Sequence, residues 1–73
     1  PITIDLTQLA SLSGLEAEML TQYLTMIQVQ RQDFNGRVLT VREQDRLALA
    51  AILGTGLDGV ATRLEALRLS YQP

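Results

Sequence analysis

The chain contains no Cys and no His, and all six of its basic residues are Arg, so it has no Lys. Without Cys there is neither a disulfide nor a thiolate metal site. Without His the common zinc sites and the commonest general base are gone. Without Lys no phosphate-binding loop of the Gly-Lys-Ser kind can form around Gly54, Gly56 and Gly59. No apolar run approaches about 18 residues, so no membrane span is expected. The remaining catalytic groups are carboxylates, Tyr, Ser, Thr and Arg. Glu16 and Glu18 are two apart, as are Glu43 and Asp45, and such pairs diverge on a helix rather than converge as two working carboxylates. No enzymatic activity, metal or cofactor is expected.

What is present is apolar. Of 73 residues, 47% are hydrophobic but only 4% aromatic, so the core is built from Leu, Ile, Val, Ala and Met. This length allows one small domain, residues 1–73, marginally stable alone. The net charge of −2 gathers no polyanion by its overall field. Pro1-Ile2-Thr3-Ile4-Asp5 lacks the basic-then-apolar order of a leader, and the absence of Cys fits a reducing compartment, so a cytoplasmic protein is expected.

Ile2-Thr3-Ile4 alternates and is β-branched, which suits a short strand or an extended lead-in. Asp5 followed by Gln8 has the spacing of a capping box and starts helix 1. Ser13-Gly14 breaks it. Helix 2 is expected over about Glu16–Met26, with Leu15, Met19, Leu20, Tyr23, Leu24 and Ile27 inward. Asn35-Gly36 suits a hairpin turn flanked by strands Val29–Arg31 and Arg37–Leu39, or a plain loop. Phe34 beside it either folds back on the core or is offered to a partner. Thr40 to Glu43 resembles a second capping box opening helix 3, which runs to Leu53 with Leu47, Ala48, Ala51 and Ile52 inward. Gly54-Thr55-Gly56 ends it. Leu57, Val60, Ala61, Leu64 and Leu67 form the stripe of helix 4, and Tyr71-Gln72-Pro73 a frayed tail. The expected fold is mainly α: a winged helix-turn-helix of four helices, with a small β-hairpin wing between helices 2 and 3.

In this order the elements resemble the N-terminal domain of MerR-type regulators. Ser13-Gly14-Leu15, Leu20, Tyr23, Asn35-Gly36-Arg37, Thr40 and Leu47 carry the likeness. Helix 2 departs from that family, offering Glu16, Glu18, Thr21, Gln22 and Thr25 where a DNA reader has basic residues. The stretch Gly14-Leu15-Glu16-Ala17-Glu18-Met19-Leu20, and Leu57-Asp58-Gly59-Val60-Ala61 ahead of Leu64, resemble CbpM-type chaperone modulators instead. That resemblance implies a non-enzymatic module that binds the J-domain of a DnaJ-like co-chaperone. Its acidic contact would comprise Glu16, Glu18, Gln22, Asp58 and Glu65, against a solvated helix surface as the plain alternative.

Two other readings stand beside it. Arg31 and Arg37 flank the Asn-Gly turn, and Arg42 and Arg46 lie four apart at the start of helix 3. Four Arg near one turn suit nucleic-acid contact, as in a regulator of MerR or excisionase type, or local salt bridging with Glu43 and Asp45. Leu-rich helix 4 could instead pair with its copy in a homo-oligomer, through Leu64.

Overall fold

The computed structural model describes residues 1–72. Four helices surround a two-stranded antiparallel sheet. In chain order they are β1 (Thr3–Asp5), α1 (Leu6–Ala10), α2 (Leu15–Arg31), β2 (Val38–Thr40), α3 (Arg46–Leu53) and α4 (Val60–Ala66). Single 3-10 turns, Glu43–Asp45 and Leu57–Gly59, lead into α3 and α4. No single helix among the described residues is long and apolar enough to cross a membrane.

The sheet staples distant parts of the chain. Ile4 pairs with Leu39 across the β1–β2 ladder and also bridges Ser70, so three segments meet at one fully buried side chain. Around it pack Leu20 and Leu24 of α2, Leu49 of α3, Val60 and Leu64 of α4, and Leu69. Each such side chain contributes about 1.5–3 kcal/mol on burial. The tail is tied down as well: Tyr71 N–H donates to the Thr3 carbonyl at 2.7 Å. Tyr71 is therefore not simply frayed, and Pro73 of that expectation lies outside the described residues.

Local chemistry sets the helix ends. Asp5 caps α1, its Oδ1 accepting from Gln8 N–H at 3.0 Å, as its spacing implies. Gly14, at φ 105°, turns the chain into α2. Gly54, in the left-handed region at φ 68°, closes α3. Gly59 is a close approach, because a Cβ there would lie 2.0 Å from Thr55 Oγ1.

The expected wing does not form. Val29–Arg31 is the last turn of α2, five residues past the expected end, because nothing in Ile27–Arg31 breaks a helix. Strand β2 pairs with β1 instead of with this segment. Thr40 lies in β2, so it does not cap helix 3; Asp45 instead closes the turn that leads into α3, its Oδ2 accepting from Arg42 N–H at 2.9 Å. The inward side of α3 is nearly opposite to the expected one: Leu49, Ala50 and Leu53 are buried while Leu47 and Ala51 are exposed. On α2, Leu20, Leu24 and Ile27 are inward as expected, but Leu15 and Met19 face solvent. Leu57 is exposed as well.

Candidate functional site

The charged residues between positions 31 and 46 form the most organised polar cluster of the molecule. It holds four of the six Arg against three carboxylates, Asp33, Glu43 and Asp45, so it is locally positive in an acidic chain. Helix α2 ends beneath it. Gln32 caps the helix in the left-handed region at φ 53°, its N–H donating to the Gln28 and Val29 carbonyls. A non-Gly residue there is strained, and such strain gathers where function fixes the backbone.

Arg31 anchors the cluster. Its Nη1 donates to the Thr40 carbonyl at 2.8 Å and its Nη2 to Asp45 Oδ2. Both side chains are largely buried. The same Asp45 oxygen accepts from Arg42 N–H, so one carboxylate ties the end of α2 to the turn before α3. Tyr23, about two turns before Arg31 on α2, titrates above its ordinary 10.0, first because it is buried and then because the Asp45 charge opposes a phenolate; Arg31 works the other way.

Asn35 organises the loop between Asp33 and β2. Its Oδ1 accepts from Arg37 N–H at 2.7 Å and Val38 N–H at 2.9 Å. Its Nδ2 donates to Asp33 Oδ1 at 2.6 Å and to the Val38 carbonyl at 3.1 Å. This Asx-type turn, completed by Gly36 at φ 72°, replaces the expected hairpin. Phe34 is 70% exposed, so it is offered outward and not folded on the core. Arg37 and Arg42 are exposed, and Arg46 lies 3.9 Å from exposed Glu43.

Of the four Arg singled out in the sequence, three thus keep exposed or half-exposed side chains. Arg31 is instead committed to an internal pair. The acidic candidates are not gathered. Glu18 and Gln22 line one cleft beside α1, Glu16 a second, and Glu65 a third next to Arg68. Asp58 is exposed in the turn before α4. Glu16 is engaged by Arg63 at 3.0 Å. Sequence reasoning missed Asp33, Asn35 and Asp45 as members of one site. The available pointer was the repeat Arg31-Gln32-Asp33 and Arg42-Glu43-Gln44-Asp45 on either side of the Asn-Gly turn.

The chain belongs to the BldD-like C-terminal domains: the family described as "DNA-binding protein BldD-like, C-terminal domain" matches residues 1–69. It is similar to the BldD C-terminal domain in its c-di-GMP complex, at 31% identity and TM-score 0.82, covering 96% of this chain and 93% of that one. A second c-di-GMP complex of the BldD C-domain matches at 32% identity and TM-score 0.81, covering 99% and 100%. The S. venezulae assembly intermediate BldD-(CTD-c-di-GMP)2 matches at 30% and 0.80, covering 96% and 93%. No curated protein matches the chain.

These matches correct the MerR-type and chaperone-modulator resemblance, which rested on helix order, a Ser-Gly turn and an acidic α2. The J-domain partner inferred from that resemblance falls with it.

Proposed function

We propose that this domain is a non-enzymatic module that binds a cyclic diguanylate through the Arg/Asp cluster at the end of α2, and that the ligand draws two copies together. The relatives' complexes with c-di-GMP support the ligand class. The two-domain composition of the assembly intermediate supports the pairing. The observation that carries the reading to this chain is the Arg31–Asp45 pair, which joins the Arg31–Asp33 and Arg42–Asp45 segments into one surface.

The chemistry suits such a ligand. A cyclic diguanylate carries two phosphodiester anions and two guanines. Guanidinium groups bind phosphate oxygens in a fork and also read guanine O6 and N7. Exposed Arg37 and Arg42 are free for that work, with Arg46 beside them. The other guanine edge offers the N1–H and N2–H donors, which a carboxylate accepts. Asp33 is held for it: one oxygen is fixed by Asn35, and its other oxygen has lone pairs to spare. Arg31 acts as scaffold.

Isothermal titration calorimetry tests this with c-di-GMP and c-di-AMP. The expected result is binding of the guanine ligand, weaker binding of the adenine one, loss of at least about tenfold in Arg42→Ala, and weakening as salt rises. Equal affinity for both ligands, or no heat with c-di-GMP, overturns the proposal.

A further inference from the structure

Helix α2 is apolar on two opposite sides. One side, Ala17, Leu20, Leu24 and Ile27, fills the core. The other carries Leu15, Met19, Met26 and Val29, which are 72, 42, 48 and 58% exposed. With exposed Gln22 between them, these positions are spaced four, three, four and three apart, the seam of a two-stranded coiled coil. Such a stripe on the face away from the core is not covered by the packing of the described residues.

We infer that this face pairs with the same face of a second copy, antiparallel, about a two-fold axis at Gln22. The spacing is nearly palindromic. An antiparallel partner sets Leu15 against the partner's Val29 and Met19 against the partner's Met26. Gln22 then meets the partner's Gln22, where each amide is both donor and acceptor to the other. A surface that complements itself in this way is what a two-fold interface requires. A single polar residue in an apolar seam also fixes register.

Charge selects the direction. Parallel pairing would bring the Glu16 and Glu18 ends of both helices together. Antiparallel pairing sets exposed Glu18 near the partner's Thr25 and opposes the helix dipoles favourably. The area is sufficient for a modest dimer. The four side chains leave on the order of 400 Å² of apolar surface, as large as the main patch on many monomers. At the roughly 57% apolar share usual for interfaces, this implies about 700 Å² per protomer. That is close to the roughly 800 Å² of a standard interface. Met at the two inner positions adapts its shape to such a contact. The pairing is independent of the ligand, because the Arg/Asp clusters then lie at opposite ends of the helix pair.

The cysteine-free chain allows a direct test by mild oxidation of single-Cys variants without any nucleotide. Gln22→Cys is expected to form a disulfide-linked dimer. Leu15→Cys alone stays monomeric, yet links when mixed with Val29→Cys. Linking of Leu15→Cys to itself, or linking of Gln22→Cys no faster than of Glu65→Cys, overturns the pairing. Sedimentation equilibrium supplies a second readout. Met26→Glu should weaken self-association at least tenfold while circular dichroism and per-protomer c-di-GMP binding stay unchanged. An unaltered association constant in that variant overturns the pairing, whether or not the nucleotide binds.

Discussion

Arg31 and Asp45, fourteen residues apart, form a largely buried ion pair that fixes the end of α2 to the turn before α3. Each member has a further bond: Arg31 to the Thr40 carbonyl, and Asp45 to the Arg42 N–H. Breaking one side of a buried pair strands the other charge, which costs about 3–5 kcal/mol. A domain of this size has little more stability than that. Arg31→Ala and Asp45→Ala are therefore each expected to be mostly unfolded at 37 °C, as urea denaturation followed by circular dichroism will show. Arg31→Lys should not restore stability, because an ammonium cannot span both acceptors in the guanidinium's fork.

Asn35 separates two roles that a single alanine substitution would merge. Asn35→Asp keeps the oxygen that accepts from Arg37 and Val38 N–H but replaces the donor to Asp33 with a second carboxylate. The fold should survive, with thermal unfolding shifted only slightly. Affinity for c-di-GMP should fall about tenfold at neutral pH, because the new carboxylate repels Asp33 and no longer holds it. Calorimetry at neutral pH checks this. Unchanged affinity at neutral pH would leave Asn35 a turn residue alone.

The raised Tyr23 phenol gives the fold an alkaline limit. Burial and the Asp45 charge favour the protonated form in the native state. The folded chain therefore holds this proton more tightly than the unfolded one, and stability falls as pH rises above the ordinary 10.0 through the folded value. Tyr23→Phe should unfold less steeply with pH in that window. Identical alkaline unfolding curves for the two proteins would contradict this.

Helix α4 cannot pair through Leu64 as its Leu content implies, because that side chain is fully buried. Leu64→Asp should unfold the domain, since an unpaired charge in the core costs more than the fold has to spare. Met26→Glu, on the exposed face of α2, should change stability by less than about 0.5 kcal/mol. Urea midpoints of the two variants side by side will tell the sites apart.

Much of the fold was legible where the chemistry is local. The Asp5–Gln8 cap, the Ser13-Gly14 turn, the Gly54 stop and the four-helix order can each be read from a few adjacent residues. The remainder depends on distant partners. Ile4, Leu39 and Ser70 meet across the whole chain, and nothing near Leu39 announces which strand it joins. The inward phase of α2 was ambiguous because the helix is apolar on both sides, so Leu15 and Met19 were assigned to the core. Asn35-Gly36 is as good a hairpin turn as an Asx turn, and the choice lay with the length of α2. The Arg cluster was visible, yet Arg31 could not be told from its neighbours until Asp45 was placed beside it.

The most direct test of the ligand reading is an amide NMR titration of the nitrogen-15-labelled chain with c-di-GMP. The account predicts shifts concentrated at Asp33 to Asp45, absent in Arg42→Ala and small with c-di-AMP. Unperturbed spectra, or shifts centred on α1 and α4, would contradict it.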